Sequence, residues 1–147
     1  MEQRMDAAAV APEGYRAVFG LETYARGNVD STLYHLIKLR ASVLNGCAYC
    51  VDMHTRDAVA EGESSRRLFA VSAWREAPFF TEPERAALAL TDEVTRLGEH
   101  GVSDEVWDTA AKHYTERELA DLLIAIATIN VWNRIAVATR KQPPAQV

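Results

Sequence analysis

The stretch "GCAYCVDMH", residues 46–54, holds both cysteines of the chain three positions apart, and a histidine follows the second by four. On a helix turning ~100° per residue, Cys47, Cys50 and His54 fall within an arc of about 60° on one face. A helix beginning there would aim unpaired backbone N–H groups and its dipole at the cysteines, which favours a thiolate. Only the thiolate attacks: a thiol of pKa about 8.5 is a few per cent ionised at neutral pH, and lowering it to ~6.5 makes the thiolate the majority form. His54, one turn beyond Cys50, is placed to accept a proton. A second thiol one turn from a nucleophile can also condense with its sulfenic acid before over-oxidation. Two other readings compete. Cys47, Cys50, His54 and His35 would make a Cys2His2 zinc set, and a cysteine pair can equally be small, inert core residues.

The rest of the chain narrows these choices. At 147 residues it is the length of one domain, large enough to bury roughly two-thirds of its unfolded surface without a staple. A disulfide between Cys47 and Cys50 would close a very small loop and remove little chain entropy, so chemistry explains the pair better than stabilisation does. The amino end "MEQRMDAAAVAPEGYRAV" has acidic residues among its basic ones and only a short apolar run, unlike a secretory signal. A cytoplasmic location is therefore expected, where close cysteine pairs are more often catalytic, redox-sensing or metal-binding than structural. The formal charge of −5 and the lack of a dense Lys/Arg cluster argue against nucleic acid and against an anionic membrane surface as partners.

Apolar spacings of three and four recur from Leu33 onward, and strand-length alternation is scarce. This predicts an all-α fold of about six helices over residues 1–147, with 141–147 expected as a disordered tail. The first predicted helix has Ser31 as N-cap, a stripe of Leu33, Leu36, Ile37, Arg40, Val43 and Leu44, and Asn45-Gly46 as its stop. The second runs from about Cys47 to Ala60, before Gly62. A shorter stretch covers about Ser64 to Trp74; a third long helix starts at the Thr81/Glu84 capping box and reaches about Leu97. Ser103 caps a segment ending near His113, and the Thr115/Glu118 capping box opens a final helix to about Arg140. That last helix, "LADLLIAIATINVWNRIAVA", is apolar nearly all round. Asp121, Asn130, Asn133 and Arg134 interrupt it, so it reads as a central core helix rather than a membrane span, with part of its surface covered by another subunit.

The stretch "LRASVLNGCAYCVDMHTRDA" resembles the signature of the AhpD-like alkylhydroperoxidases, a branch of the carboxymuconolactone decarboxylase superfamily. The likeness runs from about Tyr15 through "LTDEVTRL" to "IATINVWNRIAV". It implies an all-helical homotrimer or homohexamer that reduces hydroperoxides with its cysteine pair and needs no cofactor. It also implies a dithiol electron donor, a lipoylated protein in the best-understood system. By the same resemblance Cys50 is the attacking, more exposed thiol, Cys47 the more buried resolving thiol, and His54 the histidine of the proton relay. Two positions depart from the prototype. A glutamate twelve residues before the first cysteine is His35 here, and the histidine before the second cysteine is Tyr49.

Without that glutamate, His54 loses the carboxylate that would orient and charge it, so modest peroxidase turnover is expected, with His35 the candidate replacement. A redox sensor or oligomeric binding scaffold that forms the disulfide without useful turnover is the alternative from another class. Lactone decarboxylation is disfavoured, since those relatives generally lack the cysteine pair. His100 and His113 flank loop signals and read as surface residues. Trp107, Trp132 and Phe79-Phe80 read as packing, the last pair also as a wall for an apolar pocket.

Overall fold

Gly46 separates the two helices on which the chemistry depends. Its φ of 65° is the left-handed conformation that glycine accepts cheaply. Its N–H returns to the carbonyls of Ser42 and Val43, which ends α3 (Ser31–Asn45). The next residue, Cys47, is the N-cap of α4 (Ala48–Ala60) and accepts the Cys50 N–H on its sulfur. The motif thus begins at the helix start that its spacing predicts. At the other end of α3 the cap is Asp30, whose carboxylate accepts the Leu33 N–H. Ser31, the expected cap, is instead the first helical residue, because a carboxylate one position earlier satisfies the orphan donor better.

The computed structural model describes residues 1–145 and is helical almost throughout. Among the described residues there are eight α-helices and no strand, where about six helices were expected. The two additional helices precede the region read as periodic: α1 (Ala7–Val10), capped by Asp6, and α2 (Pro12–Asn28), with Pro12 at its first position. Three glycines along α2 and its largely exposed outer face weaken its apolar pattern. The remaining helices follow the sequence reading closely: α5 (Ser65–Ala70) with a 3-10 turn at Val71–Ala73, α6 (Glu82–Thr95), α7 (Asp104–His113) and α8 (Glu116–Thr139). Both capping boxes form, at Thr81/Glu84 and Thr115/Glu118.

α8 packs against α2, α3, α4, α6 and α7, and α3 lies between α8, α6 and α4. Leu33, Ile37, Leu90, Leu122 and Ile126 form one buried cluster of this centre. Each such side chain is worth about 1.5–3 kcal/mol when removed from water. By length and composition α8 could cross a membrane, with a mean hydropathy of 1.5 over its most apolar window. Its polar residues instead find partners inside the fold. Asn45 Nδ2 donates to Asn130 Oδ1 and Asn133 Oδ1, each at 2.9 Å, and Asn133 Nδ2 donates to Ser42 Oγ at 3.1 Å. These bonds fix the end of α3, and hence the start of the cysteine motif, to the middle of α8. On the opposite side of α3, the buried Arg40 guanidinium bonds the Asp92 carboxylate and the carbonyls of Val71 and Ser72, tying α3 to α6 and the 3-10 turn. At the start of the expected tail, Lys141 is anchored: its ammonium lies 4.3 Å over the Tyr49 ring and donates to Tyr15 Oη at 3.3 Å. Gln146 and Val147, the end of that tail, lie outside the described residues.

Candidate active site

Cys47 and Cys50 are joined as a disulfide with Cα atoms 5.3 Å apart. Cys50 N–H points at Cys47 Sγ at 3.3 Å, so the helix start directs a backbone donor at the Cys47 sulfur. Exposure does not separate the two thiols as the family resemblance implies, since they are 2% and 1% accessible. What separates them is their neighbourhood. Cys50 borders a cavity of about 230 Å³, and Cys47 is not among its lining residues.

Four helices and the amino-terminal segment build that cavity. α4 contributes Tyr49, Cys50, Met53 and His54; α2 contributes Tyr15, Phe19 and Glu22; α3 contributes Tyr34; α8 contributes Trp132, Ile135 and Ala136. Asp6, Ala7 and Ala8 lie over it, held down where Arg4 bonds the carbonyls of Ala138 and Thr139. Tyr15, Phe19 and Trp132 pack edge to face with centroids 4.8–5.6 Å apart. Edge-to-face contact of this kind makes a rigid apolar wall. Trp132 therefore belongs to the site as well as to the core, and the wall expected from Phe79-Phe80 is supplied by other aromatics. Phe79 and Phe80 pack with the α5–α6 side of the core, away from Cys50.

His54 is 4% exposed, and its Nε2 has no hydrogen-bond partner. Burial, reinforced by the positive charge of Lys38, pushes its pKa down to about 3, so the ring is neutral around pH 7. A neutral imidazole is the form that can accept a proton from a thiol, and the same burial makes it a weak base that readily passes that proton on.

Glu22 makes part of the cavity wall charged. Lys38 is fully buried and ion-pairs with Glu22, which also takes hydrogen bonds from the Tyr34 hydroxyl and, at 2.9 Å, from Trp132 Nε1. Burial raises the Glu22 carboxyl, but the Lys38 charge and these three donors outweigh it and leave its pKa below the ordinary value. Burial also pulls the Lys38 ammonium down, which Glu22 opposes only in part. Tyr34 is held well above the usual phenol value by burial and by the adjacent carboxylate. Sequence reasoning missed Glu22, Tyr34 and Lys38. Tyr34 and Lys38 are spaced i, i+4, but only the burial of residues 33–42 in the folded α3 shows that both face inward.

The structure brings together Cys47, Cys50 and His54; His35 does not line their cavity, although it lies close enough to act electrostatically on His54. His35 is also buried, yet its Nε2 donates to Glu61 Oε2 at 2.8 Å, and it borders a separate polar groove with Ser31, Glu61 and Arg67. Its Nδ1 has no partner. Among the described residues no three His, Cys, Asp or Glu side chains are arranged to hold a metal ion.

Residues 11–93 match the model of the carboxymuconolactone decarboxylase family. The chain belongs to that family. The decarboxylase-family chain is 40% identical over 139 residues to the uncharacterized protein YdfG of Bacillus subtilis (strain 168), covering 94% of this chain and 95% of that one. Its fold matches the crystal structure of ATU0492 from Agrobacterium tumefaciens, a protein of unknown function with a suggested role as the antioxidant defence protein AhpD. The TM-score is 0.96 at 42% identity, over 99% of this chain and 100% of that one. The fold is thus AhpD-like. It is shared with the debrominase Bmp8 at a TM-score of 0.83 and 24% identity, over 93% of this chain and 74% of Bmp8. At that identity the likeness is one of fold alone.

Proposed function

We propose that this AhpD-like chain is a thiol-dependent peroxidase in which Cys50 attacks a hydroperoxide, Cys47 resolves the product and His54 accepts the thiol proton. The observation that carries this reading is that Cys50 and a neutral His54 border one largely apolar cavity, with a second sulfur at disulfide distance behind the first. Cys50 thiolate attacks the terminal peroxide oxygen, the O–O bond breaks, and an alcohol leaves once it gains a proton. Cys47 then displaces water from the sulfenic acid to form the disulfide.

An external dithiol, such as a lipoylated protein, returns the two electrons. Attack on Cys50 from the cavity would expel Cys47, and the Cys50 N–H aimed at its sulfur favours that thiolate as leaving group. The suggested antioxidant role of ATU0492 agrees with this chemistry. Reducing conditions in the cytoplasm suit the cycle. Association as a homotrimer or homohexamer is part of the same proposal, supported by apolar surface on α8 such as Val137, 46% exposed. Light scattering at micromolar concentration checks it, and a monomeric mass would contradict it.

Thiol titration before and after one equivalent of cumene hydroperoxide tests the reaction. Loss of two thiols, restored by dihydrolipoamide and repeated over many cycles, is expected. Thiols that survive the peroxide would refute it, and a disulfide that forms without repeated consumption of peroxide would favour the sensor reading.

A further inference from the structure

The buried pair Lys38–Glu22 has no use in the steps above, although a fully buried ammonium is expensive to maintain. Replacing such an ion pair by well-packed apolar groups is often neutral or stabilising, so stability is a weak reason for it to be there. Its place in the fold supplies a better one. Glu22 borders the cavity that Cys50 and His54 border, while Lys38 stands behind it and contacts its carboxylate directly. Peroxide cleavage makes a strongly basic alkoxide that must be protonated as it departs. His54 begins neutral and has the thiol proton to take up. Of the cations at or behind the cavity, Arg26 is paired with Glu61 and Lys141 is held against Tyr15 and Tyr49, whereas the buried Lys38 has a carboxylate that borders the cavity to pass its proton through.

We propose that Glu22, reloaded from Lys38, is the acid that protonates the departing alkoxide, a role that rests on the peroxidase reading. As the O–O bond breaks, the Lys38 proton passes to Glu22 and from Glu22 to the alkoxide oxygen, leaving neutral Lys38 and anionic Glu22. Tyr34 and Trp132 hold the carboxylate in place throughout. The thiol proton taken by His54 returns to Lys38, and the Cys47 proton leaves in the water released on disulfide formation. One hydroperoxide and two thiols thus give one alcohol, one water and one disulfide. Burial lowers the Lys38 pKa, which eases loss of its proton, and the lowered pKa of Glu22 makes the carboxyl a transient carrier that gives the proton on to the far more basic alkoxide. The position at which the family prototype carries its glutamate, His35, faces the other groove.

Two reagents separate this role from thiolate activation or mere support. Iodoacetamide alkylates Cys50 with loss of iodide, which needs no proton, whereas cumene hydroperoxide releases an alkoxide, which does. Single-turnover rates of both reactions are measured on reduced wild type and E22Q between pH 6 and pH 9. E22Q is expected to slow the hydroperoxide step by about 10² while leaving alkylation within about twofold, the scale of one general acid. Equal slowing of both reactions, or slowing of neither, would overturn the proposal. If E22Q does not fold, E22Q/K38M, neutral on both sides of the pair, must show the same split. A wild type that alkylates normally but ignores hydroperoxide would sink the peroxidase reading, and this role with it.

Discussion

His35 and His54 sit on the packed helices α3 and α4, both nearly inaccessible and each with a buried ring nitrogen that has no partner. Their surroundings differ in kind. His35 is tied to Glu61, whose side chain is 36% exposed, in a polar groove. His54 has no hydrogen bond to a carboxylate, borders the same aromatic-walled cavity as Cys50, and is kept neutral by burial and by Lys38. The contrast bears on the proposed role of His54, because burial alone would not fit a histidine to accept a thiol proton. The ring must share a cavity with the sulfur and keep a nitrogen free of any stronger partner. The motif histidine meets both conditions, and the histidine at the prototype's glutamate position fails the first.

The largest effect expected from this contrast is on reactivity. H54Q should slow hydroperoxide oxidation of the reduced protein by about 10²-fold, typical of a lost general base, whereas H35Q should change it by less than about threefold. Stopped-flow thiol loss measures both. Equal losses in the two variants would erase the distinction between the sites.

Next in size is the asymmetry of the charged wall. K38M leaves Glu22 without its cation and should destabilise the protein by about 3 kcal/mol in urea, while E22Q/K38M should recover most of that loss. A stable K38M protein would mean that the ion pair is not what holds the wall together.

The smallest effect is a pH dependence. The folded-state value of about 3 for His54 lies below its unfolded value of about 6.5, so the unfolded chain takes up the proton first as pH falls. The stability linked to His54 is therefore complete above pH 6.5 and is lost progressively toward pH 3. At pH 5 the loss is about 2 kcal/mol, from 1.5 pH units at 1.36 kcal/mol each. Urea titrations of the oxidised protein at pH 7.5 and 5 should show it, and in H54Q it should vanish.

These sites were unequally legible in the sequence. Thr81, Ser103 and Thr115 announce the starts of α6, α7 and α8, because N-capping is local chemistry carried by one or two side chains. Cys47, Cys50 and His54 were readable for the same reason, lying on a single helix at helical spacing. Glu22 was not, since its meaning depends on α2 packing against α3 and α8, and no local pattern encodes which helix faces which. The Lys38 side chain was equally hidden. On the helical wheel it sits beside an apolar stripe, and only enclosure of α3 on all sides turns a solvated lysine into a buried charge. Trp132 was read as packing and does pack, but its indole N–H also anchors Glu22.

The most direct test of the account traps the first intermediate. Reduced C47S protein is treated with one equivalent of cumene hydroperoxide in the presence of dimedone, and the labelled residue is located by peptide mass mapping. With no thiol left to resolve it, the sulfenic acid should accumulate on Cys50 and carry the label, while C50S should carry none. An unlabelled C47S protein, or a C50S protein that captures dimedone at Cys47, would contradict the assignment of Cys50 as the attacking thiol.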